Sequence, residues 1–423
     1  MHSKNKKTQV TSSAITLGDA GPKVMVISLV VGAVALVFAL LLSLVTAGEE
    51  GWFRRFSFAY LTSFSFYLTI AVGGLFFVTI LHLTRGGWGI VVRRLGEIIG
   101  CMTFPMLFLF LPVLIPVLLG SDSVYEWNNA ELRTEAIELN EARTPNLLSR
   151  KVDFLSPHWF SARCLLYFTI WGAMSWYFYK RSLQQDETGD VRLTFKMENL
   201  STWGMILFAA TLAFASFDIQ MSLSFEWFST MYPVYFFASS VLSALCTITL
   251  IALLLQRSGR VTDEITVEHY HDLAKLTFAF IFFWGYIAFS QFMLIWYANI
   301  PEETFWFRYR MSSGGWITVS LILLFGHLLI PFLGMMARTV RRNKNFLMFS
   351  SIYMLVMHWV DCYWLVMPQM NNGGALHLPF VDLLCWVGLG GLFVAGLCWI
   401  AGDRPLLPIK DPKLVESLNF KNA

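Results

Sequence analysis

Ten long apolar runs, separated by short polar stretches, decide most of what this chain can become. A helix needs roughly 20 apolar residues to cross about 30 Å of hydrocarbon. The segments 23–47, 57–84, 98–120, 160–180, 200–222, 230–256, 273–299, 313–337, 346–369 and 378–402 each meet that length. In lipid, every backbone polar group must be satisfied inside a helix or a closed barrel, and runs this long fit helices. The expectation is an all-α polytopic membrane protein with about ten transmembrane helices. A composition of 56% hydrophobic and 14% charged residues belongs to that class. The net charge of +3 is small, and the basic residues lie beside the spans rather than in one patch, which argues against nucleic acid as a partner.

The basic residues speak instead to orientation. With the N-terminus in the cytoplasm, 22 of the 31 Lys and Arg fall in inside segments and 9 outside. That bias places both termini in the cytoplasm. The first twenty or so residues are polar, and no small-residue cleavage site closes the first span, so a cleaved signal peptide is not expected. Six cysteines stand singly, with no CxxC, no CxxCH and no Cys/His cluster. Covalent haem, an iron–sulfur centre and a zinc site are therefore not expected in this chain.

Three pieces do not span. The stretch Arg85 to Glu97 (RGGWGIVVRRLGE) reads as a short helix lying in the cytoplasmic interface, or as a basic inside loop. The outer loop 121–159 reads as a polar helix followed by an aromatic interfacial segment, and is the best candidate for an outer docking surface. The tail from Asp403, broken by Pro405, Pro408 and Pro412, is expected to lie along the cytoplasmic face or a neighbour.

Carboxylates inside hydrocarbon are costly unless they are paired, face water or move protons. Asp218 in span five and Asp361 in span nine both fall in the outer part of spans that run from inside to outside, four spans apart. Their surroundings, FDIQMSL and VDCYWLVMP, are comparable. This suggests two tandem four-helix bundles of the same topology, within 57–229 and 230–369. The tail 1–22, span one with its outer loop (23–56), the outer loop with span ten (370–402) and the tail 403–423 would flank them. Coincidence is the rival explanation.

The second bundle is richer in polar groups. His358 and Asp361, three apart on one helix face, could share a proton near neutral pH. His327 lies at a similar depth in span eight, and Glu226 adds a carboxylate in the aromatic turn after Asp218. Tyr286, Ser290, Gln291 and Tyr297 line span seven. Together these residues are candidates for a proton path and for contacts to a quinone, whose carbonyls need donors and whose tail needs apolar walls. Interhelical hydrogen bonding is the plainer reading of the same residues. A haem ligated by His327 and His358 is a weaker one. His82 sits at a helix end beside Arg85, as a snorkelling residue would, and His269 and His271 lie outside the spans.

The string Ser216 to Thr230 (SFDIQMSLSFEWFST) resembles the D-W-x-M-S-L-x-x-x-W-F-S-T signature of the integral membrane subunits of alternative complex III, a bacterial quinol:cytochrome c oxidoreductase. His271 to Phe305 and Lys151 to Phe168 are similar to two further blocks of that family, most of all its F subunit. The matches lie within residues 57–369. The resemblance implies an NrfD-like fold, related to the polysulfide-reductase membrane subunit, in the bacterial inner membrane. It also implies partners: a sister NrfD-like subunit, an outer iron–sulfur and molybdopterin-like subunit, multihaem and monohaem cytochromes c, small membrane subunits and, in some assemblies, a terminal oxidase. Electrons would pass from menaquinol or ubiquinol through haem and iron–sulfur centres on those partners. Two departures are specific: Ile219 replaces the usual Trp, and Ser224, Phe225 and Glu226 replace Glu-Pro-His. No imidazole relay at this turn is implied.

Three functions compete at this level. The chain is a proton-conducting membrane subunit of such a complex, with or without its own quinone contact; a structural subunit without chemistry; or a secondary transporter. A parallel rather than inverted repeat counts against the last.

Overall fold

The computed structural model describes residues 7, 9–12, 14–141, 149, 151–311, 315–376 and 379–422. Among the described residues the regular secondary structure is all helical, with no strand. Helix α1 (Ala20–Gly48) meets α2 (Gly51–Leu83) at Gly48, whose φ of 69° breaks the helical path. There follow α3 (Gly87–Leu118), α4 (Ala130–Glu141), α5 (Pro157–Thr188), α6 (Arg192–Ile219), α7 (Tyr232–Arg257), α8 (Val267–Ala298), α9 (Pro301–Met311), α10 (Trp316–Gly334), α11 (Lys344–Val366), α12 (Phe380–Ala401) and the short α13 (Leu414–Leu418). Among the described residues, nine of these helices are long and apolar enough to cross a membrane. The expected fourth span, 160–180, lies within α5, a tenth long helix of 32 residues whose Arg163, Lys180, Arg181 and Asp186 make it less apolar than the nine. Ser156 caps α5 by accepting from the Trp159 N–H at 3.4 Å, Pro157 opens it, and Gly189 at φ 69° ends it.

Helix α2 is central. Its Phe64 packs on Phe110 of α3 and Phe168 of α5, Phe76 on Phe208 of α6, and Tyr67 donates to the Trp386 carbonyl of α12 at 2.9 Å. Glycine sets the closest approach. A Cβ on Gly73 would lie 2.0 Å from the Ser240 carbonyl oxygen of α7. On the outer flank, α1 and α12 meet through Gly32 and Gly391, where a Cβ would fall 2.7 Å from Gly388 O and 2.4 Å from Ser28 O respectively. Without a hydrophobic force between helices in lipid, such close backbone contact is what holds them.

The stretch Arg85 to Glu97 corrects the expectation. It is neither an interfacial helix nor a basic loop: Ile90–Cys101 is buried along its whole length and runs on through Met102 into the rest of α3. Its charges are buried because they are paired. Arg93 bonds Glu97 at 3.0 Å and Asp411 of the C-terminal tail at 2.8 Å; Arg94 lies 3.0 Å from Glu97 and 2.5 Å from Asp186 of α5. The tail therefore lies on the end of the helix bundle, with Ser417 donating to the Trp88 carbonyl at 2.7 Å. The outer-loop helix expected from sequence is α4, while residues 142–148 and 150 of that loop lie outside the described residues.

Candidate functional site

The two carboxylates that look alike in sequence have different partners. Asp218, fully buried near the end of α6, accepts from Arg163 at 2.7 and 2.9 Å and from the Tyr167 hydroxyl at 2.7 Å, both on α5. Arg163 is fixed in turn: it donates to the Phe154 carbonyl at 2.8 Å and lies 3.8 Å above the Phe154 ring. A bidentate arginine with a tyrosine leaves this carboxylate neutralised and satisfied. Such an arrangement holds two helices together.

Asp361, equally buried on α11, has only neutral donors among the described residues. Tyr235 of α7 donates to Oδ1, while Ser239 of α7 and Trp284 of α8 donate to Oδ2, each at 3.3 Å. Tyr235 and Ser239 are four residues apart and share a helix face. The nearest basic group among the described residues is His358, whose Nδ1 is 4.0 Å from Asp361 Oδ2. His358 Nε2 lies 2.7 Å from the Thr69 hydroxyl of α2, which is also 2.7 Å from the Phe66 carbonyl, and 3.9 Å from the Cys362 thiol. Its Nδ1 is buried without a hydrogen-bond partner among the described residues and faces Asp361.

His327 completes the cluster from α10. Both of its ring nitrogens are buried without a partner, and its ring lies 3.8 Å from that of Trp284. It sits on a π-helical turn, Leu323–Leu329, where the Tyr353 hydroxyl of α11 donates to the Gly326 carbonyl at 2.9 Å. Single π-turns within α-helices recur at functional positions because the extra residue re-aims the side chains beside it. The available ligand atoms of His327, His358 and Asp361 all lie within 4.8 Å of one another. A tetrahedral zinc site with bonds of about 2.0–2.1 Å brings its ligand atoms to about 3.3 Å. The 4.0 Å between His358 Nδ1 and Asp361 Oδ2 is wider than that, and fits proton or hydrogen-bond exchange better than a preformed metal cage.

The other candidates are dispersed. Glu226 is exposed in the turn before α7, and Tyr286 and Tyr297 are 57% and 85% exposed. At about 100° per residue, both tyrosines fall on the side of α8 opposite Trp284. Ser290 is half-buried; Gln291 is buried on the Trp284 face with its Oε1 unpartnered, seven residues along the helix. The structure thus gathers His327, His358 and Asp361, and adds Tyr235, Ser239, Trp284 and Thr69, which sequence reasoning passed over. Tyr235 and Ser239 were visible as a polar stripe on α7, whereas Trp284 and Thr69 carried no sequence signal.

A second polar group lies toward the α4 end. Tyr232, three residues before Tyr235, donates to Gln220 at 3.2 Å. Arg310 of α9 is fully buried, donates to the carbonyls of Trp306, Trp364 and Leu365 at 2.9, 3.1 and 2.7 Å, and lies 3.4 Å above the Trp306 ring. Burial pulls its pKa down to about 9, so it remains a cation at neutral pH. It caps the C-terminal carbonyls of α11, just beyond Asp361.

No family model and no curated protein matches this chain.

Proposed function

We propose that this chain is a membrane subunit of a quinol:cytochrome c oxidoreductase of the alternative complex III kind, in which the Asp361 cluster takes up and passes protons. The reading includes an NrfD-like arrangement of ten spans, with α2, α3, α5 and α6 as one four-helix bundle, α7, α8, α10 and α11 as the other, and α1 and α12 at the flanks. It sets the protein in a bacterial inner membrane with both termini in the cytoplasm. On this reading the redox centres belong to partner subunits, because the sequence carries its six cysteines singly, with no CxxC or CxxCH.

One observation carries the proposal: a fully buried carboxylate, Asp361, with neutral donors only among the described residues and an unpartnered histidine nitrogen facing it. Without a fixed cation, the charged form of Asp361 is not locked in place as that of Asp218 is, so protonation is the available way to neutralise it. A proton leaving Asp361 Oδ2 has His358 Nδ1 as its nearest basic acceptor, and His327 offers the next free nitrogens. On the other oxygen, Tyr235 gives the proton a hydroxyl that leads toward Tyr232 and Gln220. Asp218 and Arg163, by contrast, take a structural part.

The test is Asp361→Asn in the assembled complex. Asparagine keeps the size and can accept from Tyr235, but cannot cycle a proton. Turnover or proton movement per assembled complex should fall by about tenfold or more. Unchanged values of both, with only the yield of complex reduced, would make the subunit structural.

A further inference from the structure

Five helices enclose a groove that the proton cluster does not use. A cavity of about 460 Å³ runs between α2, α3, α7, α11 and α12, walled by Ile70, Ile98, Leu250, Ile352 and Leu397 among others. Phe66 and Trp386 close its inner end, their rings 5.7 Å apart, and Leu17 and Leu406 of the two tails border the other. Its lining is almost wholly carbon. The one hydroxyl there outside the tyrosine, Thr247, is spent on the Ser243 carbonyl of its own helix at 2.8 Å.

An apolar cavity of this size does not hold ordered water, and left empty it forfeits dispersion contacts along every wall. In a membrane the natural filler is a hydrocarbon chain. From Trp386 to Ala401 the groove follows α12 for about 22 Å at 1.5 Å per residue, against about 15 Å for one leaflet's hydrocarbon. That length takes a full acyl chain reaching from the basic end of the bundle past its middle. The charge at the mouth decides the headgroup. Arg260 donates to the Thr16 and Leu17 carbonyls at 2.9 and 2.8 Å, and exposed Arg257, just past Leu255, donates to Asn345 at the start of α11 at 3.2 Å, whereas Arg404 lies over the Tyr179 ring of α5 at 5.5 Å. Asp19 is the acidic residue nearest in sequence to Leu17, so arginine is in excess.

We propose that this groove binds one acyl chain of an anionic phospholipid, with its phosphate set against Arg257. The far end of the chain then rests on Phe66, whose ring lies 5.3 Å from that of His358. The bound lipid would shield the histidine from the leaflet on that side. The site stands whether or not the cluster moves protons.

The test uses the full-length protein in nanodiscs of equal parts dioleoyl-phosphatidylglycerol and dioleoyl-phosphatidylethanolamine, released in mild detergent and weighed by native mass spectrometry. One phosphatidylglycerol should remain bound per chain. Leu250→Trp and Val394→Phe, which fill the groove from two different helices, should each lower its retention by about tenfold. Arg257→Gln should keep a bound lipid but lose the preference for phosphatidylglycerol. A wild-type protein that keeps no lipid, retention unchanged in both filling variants, or retention without headgroup preference would overturn the proposal. So would recovery of a prenyl lipid lacking phosphate from protein purified out of native membranes.

Discussion

Asp218 and Asp361 show how little a residue's identity says about its role until its partners are known. Both are buried carboxylates near the ends of comparable helices, yet Arg163 pairs with one, while among the described residues the donors to the other are neutral. The difference predicts opposite responses to the same change. Asp218→Asn leaves the Arg163 guanidinium without its anion in a mostly buried place, and should destabilise the protein by about 3 kcal/mol. Replacing both, with Arg163→Gln, should recover a good part of that loss, because no unpaired charge remains. Thermal unfolding in detergent, compared for the two single variants and the double, measures the coupling; additive losses would mean that the pair contributes little. The sequence displayed both aspartates and placed His358 beside Asp361, since helical spacing makes an i and i+3 pair legible. It did not display Arg163 as a partner. Arg163 and Asp218 are 55 positions apart on different helices, and only the packing of α5 against α6 brings them together. The tyrosines offered as quinone contacts do not join the cluster: Tyr286 and Tyr297 share a helix with Trp284 but not a face, which helical spacing alone gives.

At the scale of elements, apolar length made most helices readable, and buried charge hid the rest. The first half of α3 carries Arg93, Arg94 and Glu97, which in an isolated segment would belong to water. They are buried because Asp186 and Asp411 arrive from α5 and the tail to pair with them, a three-way match that no local pattern announces. The glycine contacts were equally silent. Gly73 looks like one more small residue in an apolar run, but it sits where α2 touches the backbone of α7. A methyl group at that position would be 2.0 Å from a carbonyl oxygen that cannot swing aside as a flexible side chain could. Gly73→Ala should therefore push the two helices apart and cost about 2–3 kcal/mol. Gly51→Ala, where the new Cβ meets only the Ala47 methyl at 3.7 Å, is the control and should change stability little. Equal melting temperatures for the two variants would show that the α2 and α7 crossing tolerates more separation than its geometry suggests. The crossing matters for the site, because α2 brings Thr69 to His358 and α7 brings Tyr235 and Ser239 to Asp361. A spread between these helices would loosen the cluster even though Gly73 touches none of it.

Over the whole molecule, both tails fold onto the same end of the bundle and fasten to each other. Lys7 and Asn419 exchange two hydrogen bonds at 3.0 and 2.7 Å, the Leu406 N–H reaches the Ile15 carbonyl at 2.7 Å, and Val261 donates to Ala14 at 3.1 Å. The firmest tie is Glu264, in the turn between α7 and α8. It accepts from the Thr11 and Ser12 backbone N–H groups, both at 2.9 Å, and from the Ser12 hydroxyl at 2.5 Å. Burial alone would raise its pKa, but these donors favour the carboxylate more strongly and hold the pKa below the ordinary 4.5. The sign of the consequence follows. With the tail detached, Glu264 titrates at its ordinary value; with the tail docked, it stays ionised to lower pH. The contribution of Glu264 to docking is thus complete above the ordinary value, and is lost as the pH falls below it and through the depressed one. Hydrogen exchange along residues 9–19, expressed as protection relative to free peptide at each pH, should be flat from neutrality down to about pH 5 and then decline. Glu264→Gln should lower protection at neutral pH by an amount in the range of charge-assisted hydrogen bonds, about 1.5–3 kcal/mol, and should flatten the decline. If the variant keeps the wild-type profile, another group governs the tail. Asp411, which ties the other tail to Arg93, is the one to replace next, because its release would free the same end of the bundle from the C-terminal side.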